Sequence, residues 1–176
     1  MIRAIRALIA VVAIALVASC GGDSSKPSSS KFKTYHGPPV TQVVVKKGER
    51  RMYLLSGRQV LKSYDIGLGT DPNGPKRFEG DGRTPEGMYF IDRKNPASRY
   101  HLSVGISYPS AQDVAQAAMM GLRPGGDIMI HGLGPEGRKL VQQRRDWTAG
   151  CIAVTDEEME EIFAMLQPGV PIFIYP

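Results

Sequence analysis

A mainly β domain with about two α-helices is predicted by three features of this sequence. Glycine and proline are frequent, at 20 and 13 of 176 residues, and both favour turns over long helices. Short runs of β-branched and aromatic residues recur at hairpin spacing between residues 40 and 66, the pattern of an antiparallel sheet. Helical periodicity is concentrated in two stretches, near residues 110–122 and 155–166.

Residues 1–19 read as an export leader. Arg3 and Arg6 form a short positive start, and residues 7–17 are an uncharged apolar run. Its 11 residues are too few for a membrane-spanning helix, which needs about 20, and suit a signal peptide. The run ends Val17-Ala18-Ser19 before Cys20 and Gly21-Gly22. This resembles a bacterial lipobox, with ordinary cleavage at a small-residue site as the alternative. The resemblance implies that Cys20 becomes the mature N-terminus, carries diacylglycerol and anchors the protein to a membrane. Glycine rather than aspartate at position 21 favours, by the sorting rule of diderm lipoproteins, a periplasm-facing place on the outer membrane.

Residues 20–39 are then expected to be a lipidated terminus and a flexible linker. Residues 21–30 are small and polar and cannot bury enough surface to offset ordering entropy. His36 falls in this region and is expected to be solvated. The net charge of +5 drops to about +3 once Arg3 and Arg6 leave with the leader. A mildly basic surface suits an anionic envelope, or serves solubility alone. No basic-aromatic cluster points to nucleic acid.

Residues 40–176 form one domain. Residues 40–45, 51–55 and 59–66 read as consecutive strands separated by turns at 46–50 and 56–58. Residues 88–92 and 100–106 read as two more, after a glycine-containing loop at 71–82 and the turn Thr84-Pro85-Glu86-Gly87. Ser110 is a helix cap, with Ala111, Val114, Ala115, Ala118 and Met119 at helical spacing and an end near Gly121. Ile128-Met129-Ile130 is a buried strand leading to His131, and residues 135–145 are a short basic helix or a loop. Ile152-Ala153-Val154 is a brief strand. Thr155 and Glu158 have the spacing of a capping box, opening a helix that buries Met159, Ile162, Phe163 and Leu166 and stops at Pro168-Gly169. Residues 171–175 close the sheet.

Two cysteines occur, and the lipobox accounts for Cys20. Cys151 lies in DWTAGCIAVT, residues 146–155, and His131 ends the preceding strand. A cysteine nucleophile needs a nearby base and backbone donors for an oxyanion. Gly150 permits an unusual backbone angle before the thiol. His131 is a plausible base, oriented through its second nitrogen. Taken alone, the same residues more often mean a buried small cysteine and a satisfied core histidine. No metal-ligand cluster and no cofactor motif is evident.

His131-Gly132 followed by Thr148-Ala149-Gly150-Cys151-Ile152 resembles the signature of the YkuD-type L,D-transpeptidases. The blocks at residues 83–89, 98–102, 106–109 and 146–155 are similar to the YafK-like branch. The resemblance implies a β-sandwich-like catalytic domain with Cys151 as nucleophile, His131 as general base and the Gly132 carbonyl orienting the imidazole. Backbone N–H groups at Gly150 and Cys151 would form the oxyanion hole. His101, Tyr100, Trp147, Thr148 and Arg144 are candidates to line the substrate groove, although packing is the preferred reading for Trp147. The donor would be a peptidoglycan stem tetrapeptide, attacked at the L-centre of diaminopimelate with loss of D-alanine. The acceptor would be an amine of another stem or of a wall-linked lipoprotein, and no cofactor is implied. Water as acceptor would make the same site a hydrolase. A non-catalytic wall-binding lipoprotein is the third reading.

Three departures from the family pattern stand out. The 20 positions from His131 to Cys151 enlarge the intervening segment. Ala149 stands where a polar residue is common, and Ala153 where Arg or Asn is common. Arg138, Arg144 or Arg145 could replace the missing anchor, or could form a solvated basic face.

Overall fold

The computed structural model describes residues 30–176. The leader, Cys20 and the first part of the linker lie outside the described residues. The chain forms β1 (Gln42–Lys46), β2 (Arg51–Ser56), β3 (Gln59–Asp65), β4 (Gly87–Asn95), β5 (Ser103–Ile106), α1 (Ala111–Met119), β6 (Met129–His131), α2 (Gly134–Leu140), β7 (Ile152–Ala153), α3 (Asp156–Met165) and β8 (Pro171–Tyr175). All eight strands join one sheet in the order β3-β2-β1-β8-β4-β5-β6-β7.

The sandwich-like character expected of the fold takes the form of this one sheet curling on itself. Strands β3 and β7 stand at opposite ends of the order. Yet Gly67, just past β3, exchanges two backbone hydrogen bonds of 2.9 Å with Ala153 of β7. The hairpins at β1–β2 and β2–β3 are antiparallel as expected. The purely antiparallel reading fails at two pairs: β1 with β8, and β6 with β7, are parallel. Strand β8 enters between β1 and β4 from the far end of the chain, a placement that local patterning does not encode.

Alternation decides which face is buried. Val43 and Val45, Met52 and Leu54, and Ile172 and Ile174 point inward from neighbouring strands. Helix α3 closes this core with Met159, Ile162 and Leu166; Phe163 is only partly buried. Its Thr155–Glu158 capping box forms as its spacing predicts.

Helix α1 also carries a capping box, between Ser110 and Asp113. Its expected apolar face is corrected by the structure. Only Ala117 is buried, whereas Val114 and Met119 are exposed. The helix is held by its cap and by a 3.0 Å bond from the Tyr89 hydroxyl to Asp113, so it needs little apolar burial. The stretch left open between helix and loop contains α2, the third helix. The strand expected from residue 100 begins only at Ser103, because His101 has a φ of 75° that breaks an extended run.

Most of the stretch read as a flexible tether, residues 21–29, lies outside the described residues. The later part of the linker is docked: Phe32 packs on Phe163, and Lys33 Nζ reaches Glu160 at 3.3 Å and the Glu157 carbonyl at 3.1 Å. His36 is exposed.

Candidate active site

The site sits where β6 ends and β7 begins. Register pairs Ile130 with Ile152 and His131 with Ala153 in parallel. One step back along this register, Cys151 lies beside Met129. Residues two apart on a strand share a face, so Cys151 and His131 share one face of adjacent strands. They stand on a diagonal across the β6–β7 pair.

His131 is buried, and its Nδ1 lies 2.6 Å from the Gly132 carbonyl oxygen. A carbonyl only accepts, so Nδ1 carries the proton and Nε2 keeps the lone pair. Gly132 has no room for a side chain. A β-carbon there would come within 2.6 Å of Asp156 Oδ1 and 2.9 Å of the Tyr100 carbonyl. Asp156, the first residue of α3, accepts from the N–H groups of Leu133 at 2.8 Å and Gly134 at 2.9 Å and pairs with Arg138. The start of α3 thus secures the turn that carries the orienting carbonyl.

Cys151 is partly accessible, and its sulfur faces the Asp127 carbonyl at 3.5 Å. Gly150 before it has a φ of 137°, and a β-carbon there would meet the Arg83 carbonyl at 2.6 Å. Only glycine satisfies both constraints without strain. Thr148 is buried; its hydroxyl donates to the Cys151 carbonyl at 2.7 Å and accepts from the Gly150 N–H at 3.1 Å. Asp146 anchors the start of the loop. It takes paired bonds from Arg50, the closest 2.8 Å, and a 2.9 Å bond from the Leu68 N–H.

Burial pushes the Cys151 thiol above its ordinary range, against weaker opposing influences from the Met129 backbone and Lys76. Burial pushes the His131 imidazole down, opposed by its bond to Gly132. Both shifts favour a neutral thiol beside a neutral imidazole.

The other candidate residues divide. Tyr100 and Trp147 contact the imidazole, at ring-centre separations of 4.6 and 5.6 Å. Trp147 is buried, as the packing reading expects. His101 is turned to α3, with Nε2 2.9 Å from Glu160 Oε1, so its ring is held there and does not stand free in a groove. Thr148 spends its hydroxyl inside the cysteine loop. The Gly150 N–H is likewise engaged by Thr148, which leaves it occupied where an oxyanion donor was expected. Arg144 is exposed. Arg138 pairs with Asp156, and Arg145 bonds the Ile66 carbonyl at 3.1 Å and Asp65 at 3.3 Å. Beyond Trp147 lies a cavity of about 460 Å³ lined by Ile66, Leu133, Arg145 and Ala153, but by neither Cys151 nor His131.

Sequence reasoning missed several supports. Lys47, in an apparent turn, is buried and donates to the carbonyls of Gly74 and Thr84 and to Glu86 at 2.6, 3.0 and 2.8 Å. Burial lowers its pKa. Lys76 and Asp81 make a second buried pair at 2.8 Å. Together they fold the loop that presents the Arg83 carbonyl to Gly150. Arg50 and Asp156 had no local signal either, because their partners lie 96 and 22–23 positions away.

The catalytic-domain family of L,D-transpeptidases, YkuD, matches residues 41–174. The chain belongs to this family. YafK of Escherichia coli K12, a provisionally assigned L,D-transpeptidase, is 31% identical over 192 aligned positions, spanning 99% of this chain and 71% of YafK. The helical cell shape determining protein Pgp2 of Campylobacter jejuni superposes with a TM-score of 0.58 at 29% identity, covering 80% of this chain and 49% of Pgp2. Bd1075 of Bdellovibrio bacteriovorus has the same fold, with a TM-score of 0.52 at 21% identity over 82% of this chain and 50% of that protein. The chain therefore spans about half the length of these two solved structures. Within the L,D-transpeptidase domain, the small side chain of Ala153 lines the cavity behind Trp147, with Arg145 also on its wall.

Proposed function

We propose that this chain is a peptidoglycan L,D-transpeptidase that works through a thioester on Cys151. The observation that carries the reading is the shared face of β6 and β7, with the Nδ1–H of His131 committed to Gly132 and Nε2 left to act as a base. The family membership and the similarity to YafK and Pgp2 support it.

The substrate would be a stem tetrapeptide. Nε2 takes the thiol proton as sulfur attacks the carbonyl of the diaminopimelate L-centre. The Cys151 N–H stabilises the oxyanion, and Gly150 joins it only if Thr148 releases its N–H. The tetrahedral intermediate collapses, its C–N bond breaks, and D-alanine leaves with the proton from His131. An amine of a second stem then attacks the thioester, His131 accepts its proton, and the thiolate is expelled. The direction of the two shifts favours a neutral resting pair, in which proton transfer accompanies attack. Water in place of the amine gives hydrolysis by the same steps, and an amine of a wall-linked lipoprotein is the alternative acceptor. Lipid anchoring through Cys20 in the periplasm-facing envelope belongs to the same proposal.

Incubation with sacculi and tetrapeptide muropeptides, read by mass spectrometry, tests it. A new cross-link mass with an acyl adduct on Cys151 is expected, and Cys151→Ala loses both while keeping its fold. A freed tripeptide shifts the assignment to hydrolysis. No mass change and no adduct on wild-type Cys151 would sink both enzymatic readings.

A further inference from the structure

We propose that Tyr100 and Trp147 form an aromatic clamp that positions the His131 imidazole; the inference rests on the reading of His131 as the base. A backbone carbonyl is a single attachment point, so a ring bonded only through Nδ1 could still tilt about that bond. Two further contacts remove this freedom. Tyr100 stacks on the imidazole with centres 4.6 Å apart and planes 26° apart. Trp147 meets it edge-on at 5.6 Å and 69°. The two clamp rings also touch each other, at 5.6 Å and 58°. These are the offset-stacked and edge-to-face arrangements that aromatic rings favour.

Each arm is itself braced. On Tyr100, the Arg99 guanidinium approaches the ring at 5.3 Å, the backbone N–H bonds Ser98 at 3.2 Å, and the carbonyl abuts Gly132. The next residue, His101, occupies the left-handed backbone region at a φ of 75° and is tied to Glu160. A non-glycine residue in that region carries strain that the surrounding structure must hold. Trp147 lies against α2 at Gly137, where a β-carbon would come within 2.8 Å of the indole ring.

The clamp is made of uncharged ring surfaces. Tyr100, from the β4–β5 connection, is the titratable side chain stacked on His131. Asp156 of α3, behind Gly132, is paired with Arg138 of α2. The imidazole is therefore held without a carboxylate that would favour its charged form.

The test uses the full chain and the variants Tyr100→Leu, Tyr100→Phe, Trp147→Leu and Trp147→Phe. Two readouts are followed: the acylation of Cys151 by a tetrapeptide muropeptide as a function of pH, and the ring nitrogen shifts of His131 by NMR. The leucine variants are expected to lower kcat by about 30- to 100-fold, the scale of a misplacement near 1 Å. KM should stay within about twofold, and the acid limb should move up toward the ordinary histidine range. His131 should change from one Nδ1–H tautomer to a mixture. Tyr100→Phe should restore most of the rate, because the ring face makes the contact. A raised KM with an unmoved pH profile and unchanged His131 shifts would overturn the clamp in favour of substrate stacking. A lower melting temperature with both readouts unmoved would reduce the rings to core filler. If the muropeptide is no substrate, the NMR readout still decides the clamp, and the function proposal fails separately. If Trp147→Leu does not fold, the Tyr100 pair decides.

Discussion

The two halves of the candidate site are built from different forces. The imidazole half is held by apolar rings and one neutral carbonyl: Tyr100, Trp147 and Gly132 surround His131. The thiol half is held by polar bonds: Arg50 and the Leu68 N–H grip Asp146, while Thr148 ties Gly150 to Cys151. The difference fits the roles proposed for them. A base must stay neutral until attack, which favours burial without charge. A nucleophile loop must keep a glycine turn open toward substrate, and directional hydrogen bonds specify such a shape better than packing does.

The sharpest break in this comparison is Gly150→Ala. The φ of 137° is strained for alanine, and the new β-carbon meets the Arg83 carbonyl. A loss of about 3 kcal/mol of stability is expected from strain plus overlap, with acylation abolished. Urea unfolding and an acyl-adduct assay check it. Wild-type stability in that variant would show that the turn is not under steric control.

Asp146→Ala comes next. It takes the carboxylate from partly buried Arg50, which keeps its bond to the Lys47 carbonyl, and leaves the Leu68 N–H without its acceptor, at a cost of about 2 kcal/mol. If the halves are independent supports, Cys151 acylation falls while the His131 tautomer is retained. Equal damage to both would merge them into one cooperative unit. Thr148→Val is the mildest, at about 1–2 kcal/mol. It removes two bonds from the cysteine loop and frees the Gly150 N–H. A fall in the acylation rate is expected; a rise would mean that Gly150 is an oxyanion donor restrained by Thr148.

How far this site could be foreseen varies with the range of the interaction. The Thr155–Glu158 box and the Ser110 cap announce two helix starts because each cap and the backbone it bonds lie within one turn. The same local signal does not say what each helix buries: α3 closes the core, and α1 leaves Val114 and Met119 in solvent. Gly150 and Gly132 mark the thiol and imidazole as special, since a missing side chain is visible in any sequence. The reason for each lies in a distant carbonyl or carboxylate, of Arg83 and of Asp156. Lys47 looks like a turn lysine and proves to be a buried tie for the loop behind the site.

By itself, the sequence determined the strand runs and the helix caps. Each depends on neighbours within a few residues, where propensity and periodicity act. Only the tertiary structure decided that β6 and β7 run in parallel, that β8 enters beside β1, and that His101 turns to Glu160 while Tyr100 turns to His131. Those choices are settled by burial and hydrogen bonding between segments far apart in the chain, whose energies exist only once the sheet has curled and brought them together.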